Sequence, residues 1–143
     1  MRILDVGCGV GKLCAVGALF SRATWCGVEH RENLVATAER LVRALGVANR
    51  TMFVHGDAFS IAWEDYDAFY LYNPFENDYR VQVALVEERL ARLPPKTRVV
   101  TLNGFGGVMP GSYDLVHRER VPSMGVDLVS WIQRRHDRRA SSS

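Results

Sequence analysis

Short apolar runs alternate with longer amphipathic segments along most of the chain. Five of these runs have the length and composition of buried strands: Arg2–Val6, Ala23–Glu29, Thr51–His55, Asp67–Tyr72 and Arg98–Leu102. Apolar residues recur at helical spacing in three intervening segments, which are 12–20, 31–45 and a segment from Asn77 or Asp78 to Leu93. Strands that alternate with helices predict a parallel sheet with right-handed crossovers and helices on both faces.

The second helical segment shows this spacing most clearly. Its apolar residues are predicted to form one buried face: Leu34, Ala38, Leu41, Val42 and Leu45. Gly46 follows at the position where a helix usually ends, because glycine readily adopts the left-handed conformation of a C-terminal cap.

The alternation of strands and helices stops near the C-terminus. Asp114–Val121 and Val126–Arg134 are both strand-like, and only residues 122–125 separate them. So short a connection cannot hold a crossover helix, and the two strands are therefore expected to pair antiparallel. The predicted fold class is α/β, a single-domain three-layer sandwich whose mostly parallel sheet ends in a C-terminal antiparallel hairpin. Residues 1–134 are predicted to form the domain, and the polar, basic tail 135–143 to be disordered.

Composition and charge narrow the class of protein. The 143 residues are 48% hydrophobic and 24% charged, which is typical of a soluble globular domain. The formal net charge of +2 is too small to indicate nucleic-acid binding by itself. No stretch approaches the roughly 18 apolar residues of a membrane span, and the N-terminus lacks the layout of a signal peptide. Cys8, Cys14 and Cys26 form no C-x-x-C pair, so we expect reduced, buried thiols in a cytoplasmic protein and no metal site.

The most distinctive stretch lies between the first strand and the first helix, where Gly7, Gly9 and Gly11 stand at alternate positions after Asp5. Such a turn is expected to expose backbone N–H groups at a helix N-terminus, where an anionic or carboxylate-bearing ligand can approach. The spacing fits neither the phosphate-binding P-loop nor the dinucleotide pattern G-x-G-x-x-G. An acid at the position of Asp5 would repel a pyrophosphate and suits a ligand that carries an ammonium group. A tight turn without a ligand is the alternative.

Polar or glycine residues directly follow all five predicted parallel strands, at the edge where open α/β sheets bind ligands. They are 5–11, 29–30, 56–58, 73–75 and 103–104. Glu29 lies about 20 residues beyond the glycine loop, at a place suited to accepting hydrogen bonds from two ribose hydroxyls. Asp57 could accept from an exocyclic amine such as that of adenine.

These motifs together resemble those of the class I S-adenosylmethionine-dependent methyltransferases, which have a Rossmann-like fold. The stretch D-V-G-C-G-V-G at 5–11 resembles motif I of that family, and Glu29 matches its acid at the end of the second strand. H-G-D-A at 55–58 resembles the adenine-side motif, and N-P-F at 73–75 falls at the position of motif IV. The terminal hairpin matches the reversed last strand of the fold.

The resemblance implies S-adenosylmethionine as the cofactor and suggests a role for each motif. The glycine loop would pack against the methionine part with Asp5 near its ammonium, Glu29 would hold the ribose, Asp57 would bind the adenine amine and His30 would shape the pocket. The implied cofactor-binding residues are Asp5, Gly7, Cys8, Gly9, Gly11, Glu29, His30, Gly56, Asp57, Ala58 and Asn73. The implied catalytic residues are Asn73, Pro74 and Phe75.

Nitrogen is the favoured acceptor atom, in a protein side chain, a nucleic-acid base or a small molecule. The amide of Asn73 and the carbonyl of Pro74 would accept hydrogen bonds from a target amine, while Phe75 would pack on the substrate. The sequence departs from the usual Asp/Asn-Pro-Pro-aromatic motif, because only one proline is present. Two rival functions are a non-catalytic cofactor-binding or partner subunit and, less favoured, an NAD-dependent oxidoreductase.

The sequence starts at the first strand, so we expect the fold without the N-terminal cap helices that usually precede it. A short reading frame, a truncated chain or a partner protein that supplies the lid would each explain this. The glycine-rich stretch 104–111 could gate the substrate or act as a passive connection. Arginines in the basic tail could contact nucleic-acid phosphates or only aid solubility.

Overall fold

The computed structural model describes residues 1–72 and 79–134. The described chain forms seven strands: β1 (Arg2–Val6), β2 (Thr24–Glu29), β3 (Thr51–His55), β4 (Ala68–Leu71), β5 (Arg98–Leu102), β6 (Tyr113–Val121) and β7 (Val126–Gln133). Its three α-helices are α1 (Lys12–Phe20), α2 (Glu32–Ala44) and α3 (Tyr79–Arg92). Short 3₁₀ turns occupy Ala48–Arg50, Ala58–Ser60 and Trp63–Asp65.

All seven strands form one sheet in the order β3-β2-β1-β4-β5-β7-β6. The first five strands pair in parallel, whereas β7 runs antiparallel to both β5 and β6. The predicted α/β fold with a terminal antiparallel hairpin is confirmed. Chain order reverses between β1 and β4, and the carboxyl ends of the parallel strands meet at one edge of the sheet. A ligand crevice is expected at such a switch point.

Apolar clusters lie on both faces of the sheet, as the alternation of elements predicts. One cluster joins the helix residues Ala15, Ala18 and Val42 to Val47, and Trp25 and Phe53 of the sheet pack against it. The larger cluster on the other face joins strand residues such as Leu4, Phe69 and Val99 to Val86 and Leu90 of α3. The fully buried Trp63 completes this second layer and stacks on Phe69 with 5.1 Å between ring centroids.

The end of α2 corrects one sequence prediction. Leu45 is 42% exposed instead of lying on the buried face. The helix stops before it, because Gly46 adopts a φ of +69° and turns the chain. Gly46 N–H donates to the Arg43 carbonyl and Val47 N–H to the Val42 carbonyl, which is the bonding of a Schellman cap. Val47, 3% exposed, therefore takes the place in the core that was assigned to Leu45.

Residues 103–112 connect β5 to β6 as a loop without an α-helix. Phe105 anchors this loop in the core, and Val108 N–H donates to Oε1 of Glu87 on α3 at 2.7 Å. Within the two described ranges, no helix is long and apolar enough to cross a membrane.

Candidate functional site

Four backbone N–H groups of the glycine loop form hydrogen bonds within the protein. Gly7 and Cys8 N–H both donate to the Val28 carbonyl, at 2.9 and 3.0 Å. Gly11 N–H donates to the Cys8 carbonyl at 2.9 Å, and Gly9 N–H donates to Oε2 of Glu29 at 3.0 Å. The expectation that the loop exposes N–H groups to an anion is therefore wrong for these four residues. A phosphate would find these donors already paired.

The three glycines of the loop all have positive φ, but their surroundings differ. Gly7, Gly9 and Gly11 have φ values of +74°, +55° and +71°. A Cβ on Gly11 would lie 2.7 Å from the Cβ of Ala38, so Gly11 permits the loop to pack against α2. A Cβ on Gly9 would meet no heavy atom within 4 Å outside its chain neighbours. The space beside Gly9 is therefore open to a ligand.

Asp5 is a buried carboxylate at the foot of this loop, 5% exposed. Burial raises its pKa, the hydrogen bond from the Cys14 thiol lowers it, and the nearby Glu29 raises it again, which together bring the pKa to about 7. The Cys14 sulfur donates to Oδ2 of Asp5 at 3.7 Å. Near neutral pH, Asp5 is thus divided between its protonated and charged forms, and a cation close to it would favour the charged form.

Glu29 is a second buried carboxylate, 2% exposed, at the end of β2. Its Oε1 accepts from the backbone N–H and the Nε of Arg31, at 3.0 and 2.9 Å. Burial alone would raise the pKa of Glu29, but the bonds from Arg31 and Gly9 outweigh burial and lower it. Glu29 is therefore ionised at neutral pH and already engaged, so a ribose would have to displace the Arg31 guanidinium to use Oε1.

The histidines and the 56–58 segment gather beside Glu29. His30 Nδ1 lies 3.2 Å from Oε1 of Glu29, and His55 Nε2 lies 3.1 Å from the His30 carbonyl oxygen. Gly56 N–H donates to the Glu29 carbonyl at 3.0 Å. Asp57 is exposed, and its Oδ1 accepts from Phe59 N–H at 2.9 Å, which caps the 3₁₀ turn that begins at Ala58.

The structure thus brings the predicted residues 5–11, 29–30 and 56–58 to one edge of the sheet. Their roles towards a ligand stay predictions. The predicted catalytic residues Asn73, Pro74 and Phe75 lie outside the described residues. Tyr70 pairs with Asp5 in register on neighbouring strands, and burial and the Asp5 charge raise its pKa to about 12.

Sequence reasoning missed two partners of the carboxylates, Cys14 and Arg31. Cys14 stands nine positions after Asp5, and no local pattern connects the two. Arg31 follows Glu29 by two residues, and this acid–base spacing was a usable signal. Cys8, Cys14 and Cys26 are free thiols; Cys14 and Cys26 are buried as predicted, whereas Cys8 is only half-buried. In the described ranges, no group of three or more His, Cys, Asp or Glu side chains could hold a metal ion.

Comparisons with known proteins found one matching family model and partial matches to curated proteins. A family model described as a methyltransferase domain matches residues 3–96. Cycloartenol-C-24-methyltransferase 1 of Oryza sativa subsp. japonica is 35% identical over 72 residues, 49% of this chain and 21% of that protein. A sterol 24-C-methyltransferase of Gibberella zeae is 29% identical over 127 residues, 83% of this chain and 32% of that protein. The chain thus spans a third or less of the length of these two relatives.

A solved structure shows the same fold. The RNA methyltransferase from Salinibacter ruber, in complex with S-adenosyl-L-homocysteine, superposes with a TM-score of 0.76. The match covers 99% of this chain and 86% of that chain, at 22% sequence identity. At this identity, the likeness concerns the fold of the chain alone.

Proposed function

The chain belongs to the class I S-adenosylmethionine-dependent methyltransferases, and we propose that it binds this cofactor beside Gly9 and transfers its methyl group to an acceptor nitrogen. The observation that carries the proposal is the pair of buried carboxylates, Asp5 and Glu29, beside an open Gly9. S-adenosylmethionine carries positive charge on its sulfonium and its ammonium, and it has no phosphate. A site with acidic side chains and with four loop N–H groups already paired suits such a ligand better than a dinucleotide.

Each described residue would have a particular task in this site. The carboxylate of Asp5 would face the ammonium of the cofactor, which would shift Asp5 to its charged form. Glu29 would accept from the ribose hydroxyls once the Arg31 guanidinium moves away, while Gly9 N–H keeps the carboxylate in place. The open side of Gly9 would allow the cofactor to lie close to the backbone, where a Cβ would hold it away.

Alignment is the main catalytic task, because S-adenosylmethionine supplies a methyl group that its sulfonium has already activated. Holding nucleophile, methyl carbon and sulfur in line can contribute on the order of 7–11 kcal/mol to lowering the barrier. The preference for nitrogen rests on Asn73 and Pro74, whose side-chain amide and carbonyl would orient the lone pair of an amine. This preference for nitrogen is taken from the sequence motif at 73–75.

Calorimetric titration with S-adenosylmethionine and S-adenosylhomocysteine, with NAD as the control, tests the cofactor. We expect both sulfur ligands to bind and NAD to give no heat. Binding of NAD without binding of the sulfur ligands would overturn the proposal and favour an oxidoreductase.

A second assay tests turnover, by measuring release of S-adenosylhomocysteine with a panel of amine, hydroxyl and carboxylate acceptors. Turnover with amines alone is the expected result. Cofactor binding without turnover on any acceptor would refute catalysis by this chain and favour a non-catalytic cofactor-binding subunit.

A further inference from the structure

A cavity lies at the same edge of the sheet as the glycine loop. It has a volume of about 300 Å³ and opens between the end of β5, the β6–β7 hairpin and the loop that follows β5. Its lining residues are Thr101, Asn103, Gly104, Phe105, Gly107, Met109, Arg118, Arg120, Asp127, Val129 and Trp131. We call it the hairpin cavity. Since β7 is three strands from β1, the cavity lies roughly 14 Å from the glycine loop along the sheet.

The inner wall of the hairpin cavity is apolar and preformed. Phe105 and Val129 are buried, 5% and 7% exposed. Phe105 belongs to the larger apolar cluster of the fold, and Met109 and Trp131 pack against that cluster. The loop that closes one side is held to α3, because Val108 N–H donates to Glu87. The Trp131 Nε1 is buried without a hydrogen-bond partner in the described chain. A buried N–H without an acceptor is costly, so a ligand that brings one would be favoured.

The outer wall of the cavity is positively charged. Arg118 and Arg120 stand opposite Val129 and Asp127 in the hairpin register, so both arginines lie on the cavity face of β6. Arg120 Nη1 binds Oδ1 of Asp127 at 3.1 Å, which neutralises one of the two charges. Arg118 makes no ion pair within the described ranges. The lining therefore has an uncompensated positive charge beside an apolar wall.

We propose that the hairpin cavity binds the methyl acceptor and that this acceptor is a small molecule with an apolar, ring-sized body and a carboxylate. Arg118 would pair with the carboxylate, the apolar wall would hold the body, and the Trp131 N–H would donate to an acceptor oxygen. This inference rests on the proposed function, since it assigns the substrate class of the same site. The carboxyl end of β4 lies two strands from β7, so about 10 Å separates the cavity from the edge where motif IV follows.

Nucleic acid suits this cavity less well than a small molecule does. A bound strand would need a continuous basic surface, whereas acidic Asp127 stands opposite Arg120 in the lining. A volume of about 300 Å³ lies at the lower end of the range for small-molecule sites.

Nuclear magnetic resonance of the ¹⁵N-labelled protein tests the inference, with the indole N–H of Trp131 as the reporter. A Trp131→Phe variant assigns that signal. The probes are 2-naphthoate and its neutral match, 2-naphthamide. We expect 2-naphthoate to bind roughly tenfold more tightly, because one charge-assisted pair distinguishes the two probes.

Arg118→Ala should remove most of this preference and Arg118→Lys should retain part of it. Arg98→Ala is the matched control, since Arg98 is an exposed arginine at the opposite end of β5 and should leave the preference unchanged. Equal binding of the two probes, or a preference that survives Arg118→Ala, would overturn the inference. Tighter binding of a short RNA than of 2-naphthoate at the Trp131 signal would overturn the assignment to a small molecule.

Titration of the same samples with S-adenosylhomocysteine separates the two proposals, with the Gly9 amide as the second reporter. A Gly9 response without a Trp131 preference leaves the proposed function standing and refutes the cavity assignment. A Trp131 preference without a Gly9 response refutes the proposed function and, with it, the role of the cavity as the acceptor site.

Discussion

Replacing Asp5 by asparagine should stabilise the fold and weaken cofactor binding at the same time. Burial lifts the pKa of Asp5 from 3.8 to about 7, so the folded protein holds this proton more tightly than the unfolded chain does. The stability that the bound proton contributes is fully present below pH 3.8 and is lost as the pH rises to about 7. At about 1.36 kcal/mol per pH unit, the loss above neutral pH is at most ~4 kcal/mol.

Asparagine has nearly the shape of aspartate and carries no charge, so the Asp5→Asn variant should not lose this stability as the pH rises. The free energy of unfolding of the variant should exceed that of the wild type by a margin that grows between about pH 4 and about pH 8. Urea unfolding followed by tryptophan fluorescence measures the margin. Asp65→Asn, which removes an exposed carboxylate, is the control and should give a curve parallel to the wild type. A parallel curve for Asp5→Asn itself would refute the reasoning.

Cofactor binding gives the second half of this prediction. The variant should bind S-adenosylmethionine roughly tenfold more weakly, because the ammonium loses a charged partner. In the wild type at about pH 6, binding should release up to about one proton as Asp5 becomes charged, which calorimetry in buffers of different ionisation enthalpy detects. Binding without proton release would show that the ammonium lies elsewhere.

Four further substitutions test separate parts of the structure. Glu29→Ala should weaken S-adenosylmethionine binding by a few kcal/mol at most, since each charged hydrogen bond contributes about 1.5–3 kcal/mol, and unchanged affinity in calorimetry would contradict the ribose role. Gly9→Ala and Gly46→Ala each place a Cβ in open space at a similar positive φ. Both variants should lose about 1–2 kcal/mol of stability in urea unfolding. Only Gly9→Ala should also weaken cofactor binding. Gly17→Ala puts a Cβ 2.2 Å from the Trp25 ring. Overpacking should therefore cost about 1–3 kcal/mol of stability, more than the gain of about 0.5–1 kcal/mol that alanine usually brings to a helix. A stabilised variant would show that the Trp25 ring moves aside.

The local elements were readable from the sequence because their signals are local. Apolar spacing located three helices and seven strands, and the short connection at 122–125 required β6 and β7 to be antiparallel. Gly46 marked the end of α2. The face that α2 buries was only partly predicted, because the Schellman cap places Val47 where Leu45 was expected.

The candidate site was predicted as a set of residues, but not as a set of contacts. The sequence placed Asp5, Glu29 and the glycines at strand ends, and the parallel sheet brings such ends together. It could not show that Gly9 N–H is bonded to Glu29, because that bond depends on the register between β1 and β2 and on the path of the loop. The raised pKa of Asp5 likewise follows from burial, which outweighs the opposing hydrogen bond from Cys14, and no sequence pattern indicates either.

The sequence by itself determined the α/β class, the terminal hairpin and the acidic character of the glycine-loop edge. These follow from side-chain periodicity, connection length and residue type, which act over a few positions of the chain. Tertiary structure alone decided that the N–H groups of Gly7, Cys8 and Gly9 are paired with β2, and that Arg118 and Trp131 line one cavity. Each of these depends on which strands are neighbours and in which register, since packing brings together residues that the chain order separates.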